Sequence, residues 1–317
     1  MLYTIIVSKK NKCRMKSMSP IRRVRVFISP RSGIARMVGS IQQELEKCWD
    51  VPGVDLTYQV SRDAEDGRIK ARRAVEDGVD TVLVVGGDGI VNTIGSELVG
   101  SSVALGVIPA GSGNGLARHF GIPLTPKKAV QALATASRQR IDVGTANGRP
   151  FFVTCSMAWD AALLRTFEQF PVRGILPYVF SAAYEFLGYV PQPIHVTLDG
   201  KEELSFADPL VFTLANLTQY GGGARIAPQA CPDDGCLELV VVLRQDAPWV
   251  FANLAKLFDG TLDELPQVIT RRFQRLEVRR DAPAPIQVDG EVIHAPATVS
   301  VEVLAGSLNI LAPEVVE

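Results

Sequence analysis

The chain has 317 residues, 47% of them apolar, and a formal net charge of -1 at pH 7. That length suggests about two domains with ample material for buried cores, and the balanced charge excludes a global electrostatic attraction to nucleic acid. The five cysteines, Cys13, Cys48, Cys155, Cys231 and Cys236, follow neither zinc-site nor Cys-x-x-Cys spacing, so a disulfide framework is excluded in favour of reduced thiols in a cytoplasmic protein.

Residues 1–20 hold only a short apolar stretch, Leu2–Val7, before Lys9, Lys10, Lys12, Arg14 and Lys16. No signal peptide is apparent there, and the segment reads as disordered or as sequence upstream of a later start. From Ile21 to Ile141 strand and helix patterns alternate. Val24–Ile28 is a strand; Ile34, Val38, Ile41, Leu45 and Cys48 recur at steps of three and four, which places them on one helical face. A strand near Leu56–Val60 is followed by a helix from Asp63 that ends before Gly78. Thr81–Val85 and Val103–Ile108 are continuous apolar runs, as expected of parallel strands covered on both faces. A short amphipathic helix carrying Ile90, Val91, Ile94 and Leu98 lies between them, and Thr125-Pro126 opens another with a hydroxyl cap and proline in its first turn.

After Asp142 the pattern becomes mainly β, with short runs at Phe151–Thr154, Ile194–Leu198, Leu210–Leu214, Leu237–Leu243, Ile286–Val288, Val292–Ile293 and Val299–Leu304. Asp199-Gly200 and Asp289-Gly290 are two-residue hairpin signals. Helical insertions are expected over Ala161–Gly188 and Pro248–Phe258, the latter stopped by Gly260. The apolar segment Phe167–Val190 is interrupted by Pro171, Arg173, Pro177 and Glu185 and is not a membrane span. The predicted fold is therefore an α/β N-terminal domain with a parallel sheet and a mainly β C-terminal domain.

Two glycine-rich turns follow the apolar strands: Gly86-Gly87-Asp88-Gly89 and Pro109-Ala110-Gly111-Ser112-Gly113-Asn114-Gly115. Turns without side chains let backbone N–H groups approach a polyanion, and a helix beginning just beyond adds its positive end. A carboxylate inside such a turn, Asp88, would repel phosphates unless it holds a cation, directs a water or meets an acceptor's hydroxyl proton. The Rossmann spacing fails at Asn92, no Gly-Lys-Ser/Thr occurs, and Ser112 lacks the flanking glycines of a hydrolase elbow.

These turns resemble those of the lipid kinases that include bacterial diacylglycerol kinases and the sphingosine and ceramide kinases. Ile141-Asp142-Val143-Gly144, Ala158-Trp159-Asp160-Ala161, Tyr220–Pro228, Asp233-Asp234-Gly235 and Val288-Asp289-Gly290-Glu291 extend the similarity from Val24 to Leu311. Ser29 stands where the family has Asn, Ile90 where Thr is common, and Thr93 where Glu is common. The fold so implied is phosphofructokinase- and NAD-kinase-like, with residues 21–141 binding nucleotide, 305–317 returning to that domain, and 142–304 binding lipid.

The resemblance implies ATP held by Gly86, Gly87, Asp88, Gly89, Ile90, Val91, Asn92, Ser112 and Asn114 together with Asp289, and Ser32 and Ser61 as weaker contacts. It implies Mg2+ at Asp234 with the backbone carbonyls of Cys231 and Cys236, where spacing alone reads as an acidic turn. Glu291 is the expected general base and Asp88 its rival. Tyr178, Phe180, Tyr184, Phe186 and Tyr189 read as core or as a lipid wall, and Arg271, Arg272, Arg275, Arg279 and Arg280 as a solvated strand face or a headgroup patch. His119, His195 and His294 have no metal-ligand spacing. The expected activity is ATP-dependent phosphorylation of a lipid hydroxyl, such as that of diacylglycerol, a sphingoid base or ceramide, by a cytoplasmic enzyme that visits the membrane surface. A kinase of a soluble acceptor and a non-catalytic lipid or nucleotide sensor are the alternatives, and an edge strand could support a homodimer.

Overall fold

The computed structural model describes residues 22–28, 38–159 and 190–314. Residues 1–20, the loop with Ser32, and the insertion expected at 161–188 with its aromatic wall lie outside the described residues.

The first half runs β1 (Arg22–Ile28), α1 (Val38–Trp49), β2 (Val54–Val60), α2 (Ala64–Glu76), β3 (Thr81–Gly86), α3 (Asp88–Gly95), β4 (Ala104–Pro109), α4 (Gly115–His119) and α5 (Pro126–Ala134). Strands β2, β1, β3 and β4 pair in parallel in that order, and β3 and β4 are buried along their whole length. Their continuous apolar runs are what a strand covered on both faces requires. Ile41, Leu45 and Trp49 of α1, Ala71 and Ala74 of α2, and Ala129, Val130 and Leu133 of α5 supply the helical side of this core. The Trp49 indole donates to the Val130 carbonyl at 3.2 Å, so α1 and α5 meet through a satisfied polar contact. Asp63 caps α2 by accepting from the Asp66 amide at 2.9 Å. Thr125, by contrast, makes no side-chain cap bond to α5; Pro126 opens the helix, where its missing N–H leaves one fewer orphaned donor.

The second half runs β5 (Ser137–Ala146), β6 (Arg149–Phe151), β7 (Thr154–Ser156), β8 (Ile194–Leu198), β9 (Glu202–Phe206), β10 (Pro209–Ala215), β11 (Gln219–Gly221), β12 (Ala224–Arg225), β13 (Leu237–Leu243), α6 (Ala247–Asp259), β14 (Val268–Phe273), β15 (Arg275–Arg280), β16 (Ala284–Val288), β17 (Glu291–Ala295) and β18 (Thr298–Ala312). An antiparallel sheet, ordered β14-β13-β10-β7-β16-β17, packs a second core that includes Phe151, Phe212, Leu239 and Val288. Both hairpin signals hold: Asp199-Gly200 and Asp289-Gly290 take positive φ between β8 and β9 and between β16 and β17. The single strand expected at Phe151–Thr154 is instead two, β6 and β7, because the amides of Phe152, Val153 and Thr154 all turn toward one carboxylate, that of Asp289.

The arginine cluster of the sequence is dispersed by the same kind of tertiary effect. Strands β14 and β15 belong to different sheets, so Arg271 pairs with Glu202, Arg272 with Asp234, and Arg279 with Glu277. Arg280 is buried and donates to the Ala295 and Pro296 carbonyls. Cys48, Cys155, Cys231 and Cys236 form no disulfide among the described residues. Among the described residues no helix is long and apolar enough to cross a membrane.

One long strand joins the two halves. The N-terminal part of β18 pairs with β15, an irregularity follows between Leu304 and Leu308, and Asn309 and Ile310 then run parallel to β4. Asp142 of β5 secures this irregularity. Its buried carboxylate accepts from the Gly306 amide and from the Gly235 amide, each at 2.7 Å, while its own amide donates to the Pro232 carbonyl at 2.6 Å. Replacing Asp142 by Ala strands two partly buried amides, and the expected cost is about 2 kcal/mol, read from the midpoint of urea denaturation.

Candidate active site

The two glycine turns are one structure rather than two. Strand β3 delivers Gly86-Gly87 and β4 delivers Ala110-Gly111 side by side, with the Ala110 amide donating to the Gly86 carbonyl at 2.9 Å. A Cβ placed on Gly111 would stand 2.6 Å from the Gly87 Cα, a backbone atom that cannot swing aside. Glycine is therefore required at this point by the packing of one main chain on the other, before any ligand is considered.

Asp88 completes the joint. Its two carboxylate oxygens accept from the Asn114 amide at 2.7 Å and the Gly115 amide at 2.8 Å, so the acidic residue of the first turn organises the second. Burial pushes its carboxyl above its usual value, against the pull of the Gly115 and Asn114 amides. A Cβ on Gly113 would lie 2.6 Å from the same carboxylate. Asn114 adopts the left-handed conformation, φ 51, and closes its own turn through a pair of bonds to the Gly111 amide and carbonyl at 3.0 and 2.8 Å. Among the described residues the Ser112 and Gly113 amides have no acceptor, and Gly89 and Ser112 are exposed. Val91 is buried, Ile90 partly so, and the Thr93 hydroxyl returns to the Gly89 carbonyl at 2.8 Å. The buried Ser61 hydroxyl finds no partner among the described residues.

The C-terminal hairpin reaches this turn through Asn92. The Asn92 amide group donates to Asp289 at 2.8 Å and to the Pro150 carbonyl at 3.0 Å. Asp289 also accepts from the amides of Phe152, Val153 and Thr154 at 2.7, 2.8 and 3.1 Å. Two oxygens thus serve four donors in a fully enclosed site; burial pushes the carboxyl up to about 6, against those donors.

Glu291 opens β17 two residues later. It is half exposed, and one oxygen lies 2.7 Å from Arg149, whose neighbour Pro150 is the residue that Asn92 touches. Asn92 lies one helical turn beyond Asp88 on α3. The glycine turns, Asn92, Asp289 and Glu291 therefore form a continuous chain of contacts.

The acidic turn before β13 is arranged differently from the magnesium site expected there. One Asp234 oxygen accepts from the Cys236 amide at 3.0 Å, the other is taken by the Arg272 guanidinium, and the Cys231 thiol points to Asp233. A dication would have to displace that guanidinium, so the residues as arranged do not suit one. Among the described residues no group of three His, Cys, Asp or Glu side chains converges on a metal position.

Sequence reasoning missed Arg149, Asn216 and Arg118. Arg149 follows an Asn147-Gly148 turn, a hairpin dipeptide that could have marked it. Asn216 bridges the Asp142 and Phe152 carbonyls, and Arg118 holds the Gly113 carbonyl at 3.0 Å; neither carries a local signal.

Two outcomes test this geometry. Gly111→Ala should force the turns apart and weaken ATP binding by about tenfold or more, read by calorimetry, at little cost to overall folding. Because the folded-state carboxyl of Asp289 is raised to about 6, its contribution to stability is fully present below the unfolded value of about 4 and is lost as pH rises through about 6. Denaturation midpoints across that window should show this fall in wild type and lack it in Asp289→Asn.

Comparison with known proteins agrees with this architecture. The model of the diacylglycerol kinase catalytic domain matches residues 23–146, and that of the YegS C-terminal NAD kinase beta sandwich-like domain matches residues 154–312. A diacylglycerol kinase of Mycobacterium tuberculosis is 31% identical over 269 residues, covering 82% of this chain and 86% of that protein. A Stenotrophomonas maltophilia protein named "Probable lipid kinase YegS-like" is 30% identical, covering 78% of this chain and 84% of its own length. The crystal structure of a diacylglycerol kinase from Bacillus anthracis superposes with a TM-score of 0.71 at 18% identity, covering 95% of this chain and all of that one. With its mostly parallel α/β domain and its antiparallel β-sandwich-like domain, the chain belongs to the family of diacylglycerol kinases and YegS-like lipid kinases.

Proposed function

We propose that this protein transfers the γ-phosphoryl group of ATP to the hydroxyl of a lipid such as diacylglycerol, a sphingoid base or ceramide. The observation that carries this reading is the fused pair of glycine turns, whose Ser112 and Gly113 amides have no acceptor among the described residues, linked through Asn92, Pro150 and Arg149 to a half-exposed carboxylate at Glu291. Bare amides suit a polyphosphate, and phosphoryl transfer needs positioning and charge stabilisation more than covalent help.

In this mechanism the acceptor oxygen attacks the γ-phosphorus in line, the bond from that phosphorus to the β-bridging oxygen breaks, and ADP leaves. The hydroxyl proton passes to Glu291. Arg149 holds one Glu291 oxygen and leaves the other for the acceptor. Asp88 is the weaker candidate for the base because both its oxygens already hold amides of the second turn. Its role is to position that turn. Asp289 likewise acts through position, fixing α3 against the hairpin that presents Glu291.

With radiolabelled ATP and a panel of diacylglycerol, ceramide and sphingoid base, label should appear in the organic phase. Glu291→Ala should lower turnover by about a hundredfold or more while ATP binding is kept. Equal activity of wild type and Glu291→Ala on every lipid would sink the assignment of the base, and label found only in water-soluble product would move the acceptor class.

A further inference from the structure

Helix α6 is apolar without being part of a core. Between Ala247 and Asp259 it carries Trp249, Val250, Leu254, Leu257 and Phe258 against only two charged residues, Lys256 and Asp259. None of its described side chains is buried. Leu254 is 47% and Phe258 51% exposed, one turn apart on one face, while Leu257 turns inward onto the small cluster around Ile226 and Val240. The helix is nonetheless sharply defined. Asp246 caps it by accepting from the Trp249 amide at 2.9 Å, and Gly260 ends it with φ 75. An ordered helix with large apolar side chains facing outward calls for a partner.

The chemistry at its C-terminal end indicates which one. A cavity of about 410 Å³ opens there, lined by Gly260, Arg225, Arg118, His119, Thr218 and Gln219 among others, none of them acidic. Arg225 is exposed; of the acids nearby, Asp263 is engaged by Gln229 at 3.3 Å and Glu264 by Lys256 at 3.5 Å, while the exposed Asp259 ends the helix beside Gly260. The Gln219 side-chain Oε1 is buried without a partner among the described residues. Two guanidiniums beside an outward apolar helix match the two layers of an anionic lipid surface, phosphate outside and hydrocarbon beneath.

We propose that α6 is a membrane-docking helix, with Leu254 and Phe258 entering the acyl boundary while the Arg118–Arg225 cavity receives the phosphate of an anionic lipid headgroup. The proposal rests on the lipid-kinase reading only for its purpose, since it names the surface from which the acceptor is collected. The docking itself needs neither ATP nor turnover. Through the bond from Arg118 to the Gly113 carbonyl, the docked cavity adjoins the back of the second glycine turn.

The test is cosedimentation of the full chain, without ATP, on vesicles of phosphatidylcholine with and without phosphatidylglycerol. Wild type should bind the anionic vesicles, with a blue shift of Trp249 fluorescence that Trp249→Phe removes. Leu254→Gln/Phe258→Gln should weaken binding about tenfold, and Arg225→Gln about fivefold on the anionic vesicles alone. Inorganic phosphate that competes only with the Arg225-dependent part would assign the cavity to the phosphate group itself. Equal binding of wild type and Leu254→Gln/Phe258→Gln, or no vesicle binding by wild type, overturns the proposal. So does a lipid-free dimer that the double substitution dissolves, since α6 would then face a second copy. Folding of the variants is checked by ATP binding, which each should retain. Activity on a water-soluble short-chain acceptor should also be unchanged, so failure of the kinase reading and failure of docking give different results.

Discussion

Carboxylates that accept backbone N–H bonds from distant segments hold this molecule together. Asp289 gathers Asn92 of α3 and three successive amides beyond β6, Asp88 joins one glycine turn to the other, and Asp142 ties the bend of β18 to the acidic turn before β13. In each case a charged acceptor satisfies amides that a turn or strand break leaves orphaned, a stronger interaction than a neutral hydrogen bond. Removing the acceptor strands donors rather than merely deleting a contact. The link from α3 to the hairpin that carries Glu291 depends on the first of these joints.

The glycines acquire a second meaning in that setting. Gly87 and Gly111 bring two main chains to a separation that any Cβ would prevent, and Gly95 and Gly144 leave room for the rings of Phe152 and Phe151. A glycine-rich turn is thus a device for packing as well as for admitting phosphate. The departures from the family pattern fit within this frame. Thr93 bonds back to the first turn, and Ile90 lies over Gly86, where only a residue without Cβ leaves it room.

The apolar face of α6 answers a different demand. Its caps are local and its residues favour a helix, yet it contributes almost nothing to either large core. Only its place at the rim, next to the guanidiniums of Arg118 and Arg225, separates an interfacial helix from a buried one.

The amino-acid sequence by itself determined the α/β to β division, the parallel strands β3 and β4, both Asp-Gly hairpins and the glycine turns, because each depends on short-range periodicity or on a backbone angle that few residues allow. Strands that begin polar and exposed, as β5 does before its buried second half, left no such trace. The split of Phe151–Thr154, the dispersal of the arginines between two sheets, and the pairing of Asp234 with Arg272 were decided by tertiary structure alone. For the split strand and for the Asp234–Arg272 pair the deciding partner lies 38 or more residues away in the chain. What an aspartate does depends on which amides the fold brings to it, and no local pattern of residues carries that information.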